Sequence, residues 1–188
     1  MRIAIIGGIG SGKSEVLKIA RQMGVAALSA DEINAELLAL PEYIAEIARV
    51  FPAAVVNGTV DRHRLAEIVF ANDNEREKLN TIAHPRILAR IKDDNRSPLV
   101  VEMPLLLECG AQGMFDEIVL VRTPLDTRLE RLEKRGLDKE SAIKRINAQA
   151  SEDELMTVAT RVIDNSGDIE TLCKNAKLLF NELLKGYR

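Results

Sequence analysis

The residues best suited to chemistry stand near the N-terminus, as Gly7-Gly8-Ile9-Gly10-Ser11-Gly12-Lys13-Ser14. A glycine, four residues, then Gly-Lys-Ser is the spacing of a loop that wraps phosphate groups. Each residue type has a task there. Glycines accept positive φ and let the backbone close around phosphate oxygens. The N–H groups of Gly8, Ile9, Gly10, Ser11, Gly12, Lys13 and Ser14 then form an anion nest at the start of a helix, whose dipole also favours negative charge. Lys13 is placed to reach the β- and γ-phosphates of a nucleoside triphosphate, and the Ser14 hydroxyl to hold Mg2+. The loop does not say what becomes of the phosphate, because switch GTPases, motor ATPases and small-molecule kinases all use it. Asp164 to Gly167 matches a bare Asp-x-x-Gly pattern, but it lies near the C-terminus and no Asn-Lys-x-Asp guanine-reading element follows. The switch reading is therefore set aside.

Other candidates keep two readings each. Asp31 lies just past the second expected strand, at the mouth of a sheet beside the phosphate loop. A carboxylate there can accept a hydrogen bond from an acceptor hydroxyl and take its proton. It can equally be a helix N-cap, with Asn34 three residues on. Glu102 ends an expected strand, either touching magnesium through water or standing as a surface acid. Arg128, Arg131 and Arg135 share one helical face, with Arg145 and Gln149 a similar pair one helix later. Such a positive stripe either closes over a transferring phosphate, as a lid does, or forms a solvated face paired with Glu130 and Glu133.

The elements that position these groups follow from hydrophobic patterning. Ile3 to Ile6, Val25 to Leu28, Leu99 to Val101, Ile118 to Val121 and Val162 with Ile163 read as five short buried strands. A helix runs from Lys13 to Met23, where Gly24 supplies the stop. Between the second and third strands lie roughly seventy residues, more than one crossover helix needs. Asp31 to Leu40, Arg64 to Phe70 and Arg86 to Lys92 read there as helices, broken by Pro41, Pro52, Gly58 and Pro85. The charged stretch from Pro124 to Ala150 reads as helical, and a last helix spans roughly 169 to 185. Strands alternating with helices predict an α/β fold on a parallel sheet with helices on both faces.

Bulk properties narrow the class. A chain of 188 residues suits one compact domain with a real core. Its net charge of -3 gives no general attraction to nucleic acid or to acidic membrane. The short apolar start cannot be the core of a signal peptide, no stretch is long enough to span a bilayer, and Cys109 and Cys173 have no metal-ligand spacing. These features point to the cytoplasm with two free thiols, and to a monomer or small homo-oligomer.

Several segments together resemble the dephospho-CoA kinases. The phosphate loop is similar to that family's version. Ala30-Asp31 resembles the end of its Asp-Ala-Asp motif, and Gly58 with Asp61-Arg62, Leu65 and Ile68-Val69-Phe70 resembles a segment of its helical insertion. Leu79, His84 and Pro85 match a Leu-x-x-x-x-His-Pro stretch. Pro104-Leu105-Leu106-Leu107-Glu108 matches Pro-Leu-Leu-x-Glu, Arg145 with Gln149 the Arg-x-x-x-Gln pair, and Val162 to Asn165 the last strand and the turn beside the adenine. The resemblance implies a P-loop NTPase three-layer sandwich of the nucleoside-monophosphate-kinase type with a five-stranded parallel sheet. It implies an acceptor-binding insertion over about 31–95 and a lid over about 124–150.

The implied reaction is phosphorylation of the ribose 3′-hydroxyl of dephospho-CoA by ATP with magnesium. Asp31 would then be the base, and Arg62 and His84 would face the acceptor. Arg131 or Arg135 would meet the ATP phosphates, and Arg128, Arg145 and Gln149 would serve the lid. On residue type alone, His84 can also be a helix-start or interface histidine and Arg62 a surface salt-bridge partner. Two positions depart from the family pattern: Ser29 replaces the first Asp of Asp-Ala-Asp, and Glu154-Leu155 and Ala159-Thr160 stand where a lysine often precedes Ala-Asp.

Overall fold

Ile3, Ala4, Ile5 and Ile6 are fully buried, which makes the first strand the centre of the structure. In the computed structural model, residues 1–186 are described, Phe70 by its backbone alone. The strand, β1 (Arg2–Ile6), pairs in parallel with Leu99–Glu102 on one side and Glu117–Arg122 on the other. Ala26–Ser29 (β2) and Arg161–Asp164 close the two edges, again in parallel. With a short hairpin of β3 (Val55–Val56) and β4 (Thr59–Val60) counted in chain order, Leu99–Glu102 is β5, Glu117–Arg122 is β6 and Arg161–Asp164 is β7, and the sheet order is β2-β5-β1-β6-β7. Continuous β-branched runs suit such strands, because a parallel sheet is buried on both faces.

Over one face lie α1 (Lys13–Gln22) and α9 (Ile169–Leu183), packed through Val16, Leu17, Ile19 and Ala20 against Leu172, Ala176 and Phe180. Gly24 and Val25 end α1 by returning their N–H groups to Arg21 and Ala20. Asp168 starts α9 by accepting from the Thr171 N–H at 2.8 Å. The Asp-x-x-Gly match thus serves local structure, since Asp164 takes the Ser166 N–H at 2.7 Å. Both cysteines are free thiols, and burial pushes the Cys109 thiol up to about 11.

The chain forms two compact units, one of Met1–Ser29 with Asn95–Arg188, the other Ala30–Asp94. In the second, α2 (Ala30–Leu37), α3 (Pro41–Val50), α4 (Arg62–Ala71) and α5 (Asp73–Asp93) gather around Ile33, Tyr43, Ile47 and Ile91. The Tyr43 hydroxyl donates to Asn34 Oδ1 at 3.1 Å, and burial pushes its pKa up to about 12. Arg86 lies 5.5 Å from the centre of that ring and binds Glu46 through two N–H groups.

Several expected boundaries move, for identifiable reasons. Pro41 starts a helix instead of breaking one, because at N1 its missing N–H has no intrahelical partner to lose. Pro85 sits inside α5, so the helix runs through a residue that leaves the Thr81 carbonyl without its usual N–H donor. Asp31 is not the N-cap of α2, which already begins at Ala30. Asn57 and Gly58 both take positive φ, the two-residue turn that joins β3 to β4.

The stretch from Pro124 to Ala150 holds two helices, α6 (Leu125–Lys134) and α7 (Lys139–Asn147). Gly136, at φ 84, lets the chain turn after α6, and Asp138 restarts it by capping Ser141 N–H at 2.9 Å. Arg135 is consequently the C-cap of α6, one step beyond the helical face it was expected to share. The departure at Glu154 also has a local use: Ser151 and Glu154 form the capping box of α8 (Glu152–Val158).

Phe180 is wholly buried between α9 and the sheet. Phe180→Ala is expected to destabilise the fold by about 3–5 kcal/mol, measured as a lowered denaturant midpoint.

Candidate active site

The phosphate loop begins where β1 ends, and the groups around it come from the same end of the sheet. Ser29 ends β2, Glu102 ends β5, Thr123 follows β6 and Asn165 follows β7. Ligands bind at the carboxyl ends of parallel strands because the loops there are free to vary while the strands stay rigid.

Three of the loop's carbonyl groups are held by side chains. Gly8 C=O accepts from Lys13 Nζ at 3.1 Å and Ile9 C=O from Arg128 Nε at 2.9 Å. Ser11 C=O accepts twice, from Asn165 Nδ2 at 2.7 Å and from the Thr123 hydroxyl at 2.9 Å. A peptide whose C=O is held on one side must aim its N–H at the other. The ties on Ile9 and Ser11 therefore direct the N–H groups of Gly10 and Gly12 toward the nest, next to the open N–H groups of the first turn of α1. Two expected phosphate donors are engaged elsewhere. The Ile9 N–H donates to Gln149 Oε1 at 2.7 Å, and the Ser11 N–H to Gly8 C=O at 3.1 Å.

At the foot of the loop, the Ser14 hydroxyl donates to Glu102 Oε1 at 2.9 Å. Glu102 is buried, which excludes the surface-acid reading. Ser29, also buried, stands opposite Glu102 in the β2–β5 register. A hydroxyl and a carboxylate oxygen held together form the hard-oxygen donor pair that suits Mg2+, usually bound by one or two protein oxygens plus phosphate. No group of three His, Cys, Asp or Glu side chains that could hold a metal occurs among the described residues.

The basic residues of α6 and α7 separate into different environments. Arg128 is half-buried against the loop, where a Cβ on Gly8 would collide with its guanidinium and one on Gly10 would meet its backbone oxygen at 3.1 Å. Burial pulls the Arg128 pKa down, while the Glu152 carboxylate works the other way. Arg131 is half-buried and donates to the Asn165 carbonyl at 3.3 Å. Arg135 is exposed and Arg145 half-buried. Arg128 therefore does not belong to a solvated face. Asn165, expected beside the adenine, has its side chain buried behind the loop.

In the second unit, Asp31 is exposed in the first turn of α2, and no hydrogen bond or ion pair engages its carboxylate among the described residues. Arg62 is exposed and donates to the Ala35 carbonyl at 3.3 Å. His84 lies inside α5, with Nε2 buried, and is not a helix-start residue.

Sequence reasoning missed Thr123 altogether and did not foresee the attachments of Gln149 and Asn165 to the loop. A threonine just past a strand carries no spacing signal. The bonds run across separations of 112, 140 and 154 residues, which only the closed sheet can bring together.

Gly12 sits at φ 98, and a Cβ there would also collide with Asn165 Nδ2. Gly12→Ala is expected to cost about 1–3 kcal/mol of stability and to abolish measurable ATP binding. A denaturant melt and a calorimetric titration with ATP check both.

Comparison with known proteins agrees with this geometry. The family model described as dephospho-CoA kinase matches residues 1–171. The dephospho-CoA kinase of Bacillus licheniformis is 39% identical over 180 residues, covering 89% of each chain. The crystal structure of TT1252 from Thermus thermophilus superposes with a TM-score of 0.81 at 35% identity, covering 97% of both chains. A dephospho-CoA kinase from Campylobacter jejuni gives a TM-score of 0.71 at 26% identity, covering 100% of this chain and 98% of its own. With a phosphate loop held open at the head of a five-stranded parallel sheet, and relatives alike over nearly its whole length, the chain belongs to the dephospho-CoA kinase family of P-loop kinases.

Proposed function

We propose that the protein transfers the γ-phosphoryl group of ATP to the ribose 3′-hydroxyl of dephospho-CoA, giving coenzyme A and ADP. The observation that carries this reading is family membership across residues 1–171, on a chain whose loop peptides are held in a phosphate-accepting orientation. Phosphoryl transfer asks little covalent work of a protein and much positioning and charge stabilisation. The loop N–H groups and Lys13 hold the phosphates in line for attack. Ser14 and Glu102 would hold Mg2+, which when bound draws charge from the phosphate oxygens.

On the acceptor side, Asp31 orients the ribose hydroxyl and takes its proton as the bond to phosphorus forms. Its support is an exposed carboxylate with no partner among the described residues, two positions beyond the end of β2. Arg62 and His84 face the acceptor from the insertion of about 31–95. The segment of about 124–150 serves as the lid, with Arg131, Arg135 and Arg145 offsetting charge on the moving phosphoryl group, and the turn at Asn165 lies beside the adenine. No described helix is long and apolar enough to cross a membrane. The reducing cytoplasm, where free thiols persist, is the proposed place of action.

A coupled assay for ADP release tests the substrate. Dephospho-CoA is expected to support turnover well above nucleoside monophosphates or sugars; ATP binding without CoA formation would instead favour an ATP-binding regulator. Asp31→Asn is expected to lower kcat by roughly 10²- to 10⁴-fold, the range for a lost general base, with ATP affinity retained. Near-normal turnover of that variant would remove Asp31 from the role.

A further inference from the structure

Gly8 and Ile9 share a peptide group that is held at both of its polar ends. Its C=O receives Lys13 Nζ at 3.1 Å, and its N–H donates to Gln149 Oε1 at 2.7 Å. The next peptide is held as well, through Arg128 Nε on the Ile9 carbonyl at 2.9 Å. The planes on both sides of Ile9 are therefore fixed by side chains from outside the loop. Gln149 is itself well seated. It is half-buried, its own N–H donates to the Ile146 carbonyl at 3.2 Å, and the Ala150 N–H that follows donates to Glu108 Oε1 at 3.1 Å.

Such restraint matters because Gly8 and Gly10 flank Ile9. Glycines oppose peptide rotation weakly, so the Gly8–Ile9 plane has little intrinsic resistance to turning. Rotated, it would move the carbonyl that receives Lys13 and shift the ammonium from the mouth of the nest. It would also bring a carbonyl dipole toward the site of an anion. An acceptor on the N–H side opposes that rotation, and it polarises the peptide so that the carbonyl binds the ammonium more strongly.

We propose that Gln149 is a positioning residue that sets the Gly8–Ile9 peptide and, through its carbonyl, the position of Lys13. Arg128 performs the matching task on the following peptide. Gln149 and Arg128 thus act as fixed attachments to the loop, flanking the part of the lid segment that lies between them. Gln149 needs no contact with the nucleotide for this. The inference rests on the phosphate-loop reading above, but not on the identity of the acceptor.

The decisive variant is Gln149→Met, which keeps the length of the side chain and removes its amide; Gln149→Glu keeps an oxygen acceptor. Gln149→Met is expected to bind ATP about tenfold more weakly by titration calorimetry, the scale of one hydrogen bond. Its KM for dephospho-CoA should stay unchanged, which a general loss of structure would not allow. In nitrogen-15 spectra the Ile9 amide proton should move upfield in Gln149→Met and stay near its wild-type position in Gln149→Glu. An ATP affinity and an Ile9 signal that both match wild type in Gln149→Met would overturn the proposal. Should Gln149→Met fail to fold, an Ile9 proton in Gln149→Glu shifted to the position of an unbonded amide would overturn it instead. Failure of dephospho-CoA as acceptor would appear in wild-type turnover and leave these binding and spectral readouts standing.

Discussion

A peptide group can offer its N–H to an anion only if its C=O faces away and is satisfied there. That constraint governs the arrangement around Gly7–Ser14. Unsatisfied, a buried carbonyl costs on the order of 1–3 kcal/mol, comparable with what a bound phosphate oxygen would return. Lys13, Arg128, Thr123 and Asn165 meet the requirement for Gly8, Ile9 and Ser11. The nest is accordingly built from the outside. For Ile9 and Ser11, donors fixed by α6 and by the ends of the strands hold the carbonyls, and the N–H groups of Gly10 and Gly12 follow by planarity.

Ser14 and Glu102 extend the same logic to the cation side. Burial would raise the cost of an isolated carboxylate, but a hydroxyl donor at hydrogen-bonding distance offsets part of it and keeps the oxygen aimed at the loop. Ser29, opposite Glu102, carries no charge. Glu102 therefore has no acidic neighbour across the β2–β5 register to repel it.

Local signals in the sequence were informative wherever a short stretch decides its own shape. The five strands, α1 with its glycine stop, and the Gly-Lys-Ser spacing were all legible, because β-branched runs and glycine positions act over a few residues. The break between α6 and α7, which sets Arg145 one helix after Arg128, is equally local, written in Gly136 and in Asp138 with Ser141. Pro85 misled because surrounding packing carries a helix through a residue that locally opposes it. Thr123, Gln149 and Asn165 were beyond the reach of pattern. Their task is a single hydrogen bond to the backbone of a segment over a hundred residues away, and no spacing encodes that.

Those long separations bear on how the protein matures. Ser11 is made 154 residues ahead of its partner Asn165, which lies past β7. During synthesis the loop's sequence is complete long before its geometry can be. The nest takes its shape only after the last strand has docked, so an incomplete chain has no well-formed place for a triphosphate. Ligand that binds only the finished form then adds stability to it by mass action. A cell rich in ATP would favour the completed chain over every partial one, and the nucleotide would act as a late check on folding before it serves as a substrate.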